Sequence, residues 1–541
     1  MRNILYFLLL CLSSFSFAQF ELEHTYNENE VTRVKLEIDG EKYYLVNKAT
    51  SQADFYNADH SFWKSIPLPA PPQIDFLGEV RIWNVSQTKI NADSNIEIIY
   101  SYYNLEQAPN NIYITKVISE NGAVLLSVNN GLQASLSEIE GLPTKLIVFD
   151  YQNTSKVYSF PELILENTYQ ITQEYLHRIK LINAGEKYYY LDKLNGQAKF
   201  FNTDHSFWKS IDLPKPADAS YQSISLVDDN IIGNSSLVKI GYSYVVLNGN
   251  ATTYAGNIIN ENGYNLLSNP NTESYRLSNI DGLSPKIITR ELIPNSNFQY
   301  KSTIYSAPSL TLEHAYESLI ARTVLENNGE KYFTTQSPMN NQVKIYNADH
   351  SIWKTVDLPS PGEFYQVKTI SNLSENKFNS DNLVEFTCSY QFDSPIFSTF
   401  YESRVINENG LSLLTVPNAY ILALSELPNL SNKIIGLMRV DGESPQPPSG
   451  TVYNTGVLGT TDFNKSSISI APNPVKNEFT IFSTKAIVEV NIFDAIGKLI
   501  LTKKDSNLTK IEVQNLSNGI YFAKMKADNN TQFTQKIIIS N

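Results

Sequence analysis

A unit of 145 residues is written three times in this chain, and a repeat of that length constrains the fold more than any bulk property does. "YNADHSFWKSIPLP" at 56–69 returns as "FNTDHSFWKSIDLP" at 201–214 and as "YNADHSIWKTVDLP" at 346–359, so that Asp59, Asp204 and Asp349 stand 145 residues apart. The register extends well beyond this motif. "GEKYY" at 40–44 becomes "GEKYY" at 185–189 and "GEKYF" at 329–333. "SENGAVLL" from 119 answers "NENGYNLL" from 260 and "NENGLSLL" from 407, and "GLPTKLIV", "GLSPKIIT" and "NLSNKIIG" close the copies. Three homologous units, at about 20–160, 161–307 and 308–455, therefore fill the region 19–455.

Inside a unit the pattern is β. "EKYYYLD", "KLNG" and "QAKFF" read as strand, turn and strand, with Asn195-Gly196 as the hairpin signal. The other copies put polar residues in that turn. About eight to ten short strands are expected per unit, with no amphipathic helix. Two all-β architectures fit. One is a β-propeller-like ring in which each unit supplies two or three blades, since a blade takes about 40–50 residues. The other is three tandem β-sandwiches. The ring is preferred because the units abut without a Pro/Gly/Ser-rich linker, "VYSFPELILENTY" running from one into the next, and because the strands come as consecutive hairpins. It would close if the N-terminal "FELEHTY" completed the sheet begun by the third unit.

The Asp-His-Ser motif then reads as a reinforced hairpin. Asp59, Asp204 and Asp349 can accept a backbone hydrogen bond from two residues on. Trp63, Trp208 and Trp353 are expected to bury large apolar surfaces at the start of the outgoing strand. The proline after Leu68, Leu213 or Leu358 ends that strand. A nucleophilic triad within one motif is excluded, because neighbouring side chains on an extended chain point to opposite faces. Threefold repetition could gather His60, His205 and His350 around a metal, but turn histidines that face outward are commoner, and no metal is assigned. The three aspartates lack the dense Asp/Asn loop of a calcium site. His24 and His314 occupy matching places where the middle copy has Asn167, a substitution that reads as structural. No G-x-S-x-G, H-E-x-x-H, phosphate-cradling glycine loop or C-x-x-C occurs, so no catalytic residue and no cofactor is assigned.

Composition narrows the partners. Hydrophobic residues make up 42% of the 541 and aromatics 12%, enough for real cores, and 33 tyrosines against 4 methionines favour strands. A formal charge of −13 argues against nucleic acid and anionic membranes as ligands. "MRNILYFLLLCLSSFSFAQF" reads as a secretory leader spanning 1–18: Arg2 is its basic end, Ile4–Leu12 its apolar run, and Ser16-Phe17-Ala18 its cleavage site. Lipidation of Cys11 fits poorly. Without the leader Cys388 is the sole cysteine, a small buried hydrophobe by its neighbours. No other segment approaches transmembrane length.

Pro, Gly, Ser and Thr crowd residues 441–467, and 456–466 is taken as the linker proper. "PNP" at 472–474 followed by "FTI", then "VNIFDAIGKLI", then "LSNGIYFAKM" and a basic-then-apolar end, mark a small β-sandwich over 467–541. In order and spacing these motifs resemble the type A C-terminal sorting domain of the type IX secretion system. The resemblance implies a Gram-negative protein that crosses the inner membrane by its leader. The outer-membrane machinery would then recognise the sorting domain, remove it, and release the cargo or attach it to the cell surface. The 145-residue units also resemble repeats found upstream of such domains, for which no activity carries over. The expected function is a secreted or cell-surface binding or adhesion module, with tyrosine-rich loops that contact an extracellular glycan or protein. A secreted hydrolase of glycans or peptides is the alternative.

Overall fold

The computed structural model describes residues 20–540 apart from 28, 70–79, 92, 104–112, 151–152, 173, 249–250, 295, 297–298, 337–340, 363, 394–398, 441–445, 456–467, 472–474, 484–485, 495–497 and 528–531. The leader and the linker lie outside the described residues. The chain divides into two compact units, one holding Met1–Leu427 and Asn432–Val457, the other Pro428–Ser431 and Leu458–Asn541.

In the first unit the strands are short because polar turn residues interrupt them every few positions, and each pairs with the next in sequence. Thr32–Leu36, Gly40–Asn47, Gln52–Asn57 and Phe62–Pro67 form one antiparallel meander, the first blade. Among the described residues eight such sheets follow one another, the sixth carrying one extra short strand. The ninth is built from Ala419–Ser425, Lys433–Val440 and Gln446–Asn454, and its fourth strand is Glu21–Tyr26 from the other end of the chain, with Glu21 opposite Asn454 and Tyr26 opposite Gly450. The N-terminal segment thus closes the ring.

Packing leaves no room for separate sandwiches. Nine apolar clusters hold this unit together, and each lies between two consecutive blades. Leu36, Phe55 and Ile66 of the first blade meet Ile98, Tyr100 and Ile118 of the second, and the last cluster joins Ile435 and Val452 of the ninth blade to Tyr43 and Leu45 of the first. A strand such as Glu97–Tyr103 is buried on both faces for that reason. Burying each such side chain contributes about 1.5–3 kcal/mol, so the ring is stable as a whole rather than blade by blade. Propeller geometry follows: the described residues of this unit form a nine-bladed β-propeller, three blades for each 145-residue repeat.

Two expectations need correction. The described residues of 32–170 hold twelve strands rather than eight to ten. The shortfall arises at joints that carry a single residue: Asn130, Asn271 and Asn418, each in the left-handed conformation, link the second blade to the third, the fifth to the sixth and the eighth to the ninth. Asparagine tolerates that conformation, and no Gly/Pro cluster advertises the break. Many of the tyrosines also go inside. Tyr43, Tyr100, Tyr102, Tyr188, Tyr242, Tyr275, Tyr332 and Tyr390 are all fully buried between blades, not displayed on loops. Cys388 is free and buried among them.

The second unit is a small β-sandwich. Ile468–Ala471, Glu478–Ser483 and Lys510–Glu512 form one sheet, and Leu499–Lys504, Ile487–Asp494, Gly519–Ala527 and Gln532–Ile539 the other. Alternation decides which side chains face inward: along Gly519–Ala527 it buries Tyr521, Ala523, Met525 and Ala527. These meet Phe479, Ile481 and Ile511 of the facing sheet in one core. The "PNP" motif and the Ile496-Gly497 turn lie outside the described residues. Among the described residues, no helix is long and apolar enough to cross a membrane.

Candidate functional site

The Asp-His-Ser hairpins stand at three equivalent joints of the ring, where the first blade of each repeat meets the last blade of the one before. The turn is built locally. Asp59 Oδ1 accepts the backbone N–H of Ser61 at 3.0 Å and its hydroxyl at 2.6 Å, and Asp204–Ser206 and Asp349–Ser351 repeat both distances. The bonds from serine hold all three aspartates below the usual carboxylate range. This turn drives His60, His205 and His350 into the left-handed region, with φ of 65°, 64° and 68°.

That conformation folds each imidazole inward. The expectation of outward-facing rings does not hold: the side chains are only 7%, 11% and 10% exposed. Nδ1 of each ring shares a hydrogen bond with a tyrosine hydroxyl of the preceding blade, Tyr26 at 2.8 Å and Tyr169 and Tyr316 at 2.7 Å. Nε2 faces Glu23, Glu166 and Glu313 at 3.6, 3.4 and 3.6 Å, and each glutamate is paired in turn with Lys433, Lys145 or Lys286. His24 stacks on His60 at 4.9 Å and His314 on His350 at 5.0 Å, while the middle copy offers Asn167. Burial, with the second imidazole beside it, lowers the pKa of His24 and of His350. The three imidazoles sit on three different blades. Among the described residues, no group of three or more His, Cys, Asp or Glu is arranged to hold a metal.

The glutamate and tyrosine of the "GEKY" motif serve the same joint, and its lysine serves the joint with the following blade. Glu41, Glu186 and Glu330 bind the guanidinium Nε of Arg33, Arg178 and Arg322 at 2.8, 2.6 and 2.7 Å, and all three arginine side chains are fully buried. Those arginines reach across to the preceding blade, donating to the carbonyl oxygens of Ser425, Ser137 and Ser278. The joint that closes the ring is therefore made like the two inside it. Lys42, Lys187 and Lys331 lie over Trp63, Trp208 and Trp353, with Lys64, Lys209 and Lys354 also against the same rings. The tryptophans are accordingly half-buried rather than fully enclosed, because two lysine stems cover the face the core does not. Sequence reasoning missed the arginines, although their fixed distance of eight residues before the "GEKY" glutamate was visible.

On the outer edge strand of the same blades, the residue before each tryptophan is apolar and exposed: Phe62 by 60%, Phe207 by 57% and Ile352 by 59%. Phe62 packs on Tyr56 and Tyr56 on Tyr26, and Phe207 packs on Phe201 and Phe201 on Tyr169, so the outward ring is seated on an aromatic column that ends at the histidine. Elsewhere a shallow cleft of about 420 Å³ lies between the Lys193–Gly196 turn and Asp212–Lys215. Asp212 is the one acid lining it, and Gln197 already donates to that carboxylate at 2.7 Å.

The fold and its joints define a closed propeller followed by a small β-sandwich. That sandwich matches a known family: residues 469–540 fit the secretion system C-terminal sorting domain, which supports export of this chain by the type IX route. No curated protein matches the chain. Among solved structures it is similar to BamB from Moraxella catarrhalis, at 6% identity over 69% of this chain and 96% of that one, with a TM-score of 0.36. It is also similar to the C-terminal WD40 domain of Sif2, at 9% identity over 81% of this chain and 98% of that one, again with a TM-score of 0.36. The propeller assignment rests on strand order and interblade packing, not on these faint likenesses.

Proposed function

We propose that this protein is a type IX cargo of a Gram-negative cell whose propeller is a binding or adhesion module, released outside or held on the cell surface. The observation that carries this reading is the threefold exposed apolar position, Phe62, Phe207 and Ile352. An isolated exposed hydrophobe needs no explanation, but the recurrence of an exposed apolar residue at this position in all three repeats supports a surface that a partner covers. Three copies on one ring would also let a repetitive ligand, a glycan or a filamentous protein, engage several sites at once and gain avidity.

The Asp-His-Ser hairpins, with Asp59, Trp63, Asp204, Trp208, Asp349 and Trp353, are read as the structural frame behind that surface. The domain limits are read as leader 1–18, repeats 19–455 and sorting domain 467–541. Hydrolysis of glycans is the weaker reading, because it needs two carboxylates flanking the scissile bond and the cleft beside Asp212 has a single acid.

The test is a glycan and protein array probed with the secreted protein and with a Phe62→Ser, Phe207→Ser, Ile352→Ser variant. Binding that falls at least tenfold in the variant supports the proposal. Equal binding by both, or release of product from a glycan or peptide on the array, overturns it.

A further inference from the structure

The C-terminal sandwich carries an apolar sheet face that its own core does not explain. An antiparallel sheet packed on one side shows polar residues on the other. The three-stranded sheet obeys that rule: Glu478, Thr480, Lys510 and Glu512 alternate with its core residues, and Lys510 Nζ donates to Glu478 at 2.8 Å. The four-stranded sheet does not. Between its core residues Tyr521, Ala523 and Met525 it shows Phe522, 39% exposed, with Ile520, 46% exposed, just before them. Ile520 stands opposite Ile538, Phe522 opposite Phe493, and Phe493 opposite Leu499. Ile538 and Leu499 are also exposed. Directly opposed side chains lie about 4.5–5.5 Å apart, so these five form one patch across all four strands.

Along the strands the same face turns basic. Lys536 stands opposite Phe522, Lys524 opposite Asn491 and Lys526 opposite Glu489. Among the described residues of this face the one acid, Glu489, is paired with Lys504 at 3.3 Å. Residues 467–541 hold nine lysines and six acids, in a chain whose formal charge is −13. Packing within the sandwich needs neither the outward apolar patch nor its basic border. A partner that covered the face would use both.

We propose that this sheet face is where the type IX machinery holds the chain, through a protein surface that is apolar at its centre and acidic at its border. The inference rests on the reading of the protein as a type IX cargo, and narrows it from a domain to one face. The match of 469–540 to a secretion system sorting domain implies a partner in that system that reads this unit. Such a partner needs a surface the unit displays, and the described outward residues of the opposite sheet are polar, Lys510 and Glu478 being paired with each other. Apolar contact would supply the holding force, and opposite charges would speed the encounter and fix its orientation. The two longest motifs fit this division of labour. "VNIFDAIGKLI" and "LSNGIYFAKM" each supply both core residues and members of the patch.

The experiment expresses the full chain in a host with a type IX system and measures its partition between periplasm and medium by immunoblot. A Phe522→Ser, Ile520→Ser, Ile538→Ser variant should fall at least tenfold in the medium and accumulate in the periplasm, with the melting temperature of the parent. A Glu478→Ser, Lys510→Ser variant of the opposite sheet should leave the cell as the parent does. Lys524→Glu with Lys526→Glu removes no apolar side chain and should also cut export severalfold, which keeps the test valid if the serine variant fails to fold. Export of the folded serine variant at the parent level overturns the proposal, and so does an equal loss from the opposite-sheet variant. A parent chain that sediments as a dimer, split by the serine substitutions with export unchanged, overturns it too, because the face then joins two copies. A chain lacking 467–541 separates the two readings. If it is retained while the serine variant leaves, only the assigned face is wrong, whereas its own appearance in the medium would end the sorting reading itself.

Discussion

Arg33 donates from Nη1 to the carbonyl oxygen of Ser425 at 2.9 Å, across 392 positions of the chain. The same bond runs from Arg178 to Ser137 and from Arg322 to Ser278, only 41 and 44 positions apart. A contact that is the same whether its partners are near or far in sequence belongs to a closed ring, because only closure makes the last joint equivalent to the others.

Removing any of these arginines strands a largely buried glutamate. Arg33→Ala and Arg178→Ala should each cost about 3–5 kcal/mol, the usual loss when one member of a buried ion pair is deleted. Chemical denaturation of the two variants checks this. A much smaller loss for Arg33→Ala than for Arg178→Ala would mean that the closing joint is looser than the internal one.

Trp208→Ala should be milder than a core deletion. The ring is half-covered by Lys187 and Lys209, so the loss should be about 2 kcal/mol, below the roughly 3–5 kcal/mol of a fully buried tryptophan. Equilibrium unfolding measures it, and a loss above 4 kcal/mol would show that the lysines contribute little cover.

Acid should weaken the ring at the histidine joints. Burial, with His314 beside it, lowers the pKa of His350 below its ordinary 6.5, so in the window between the two values the unfolded chain binds the proton and the folded one does not. Stability is complete above about 6.5 and is lost as pH falls through the folded value. Replacing His314 by the asparagine that stands at 167 removes one unfavourable neighbour. The acid limb of the melting curve should then move to lower pH, and an unmoved limb would rule out coupling between the two rings.

Export should depend on the second unit. A chain lacking 467–541 should accumulate in the periplasm of a host with a type IX system, whereas the full chain leaves it. Immunoblots of cell fractions and medium decide this, and a truncated form in the medium would end the sorting reading.

Much of this was legible from residues alone. The 145-residue period, the consecutive hairpins and the N-terminal "FELEHTY" segment pointed to a ring closed by its first strand, because strand alternation and turn chemistry act between near neighbours. The small C-terminal β-domain was legible for the same reason, whereas its sorting role came from the resemblance of its motifs to a known family. The number of blades was not, since single asparagines at 130, 271 and 418 make joints without punctuation. Nor was the direction of His60, His205 and His350: the turn that swings each ring inward is local, but Tyr26, Tyr169 and Tyr316, which receive it, lie on another blade. The tyrosine content announced strands, and packing between blades put most of the largest side chains inside. Pairings of this kind join residues far apart in sequence, where no period records them, and only the assembled ring sets Arg33 against Ser425.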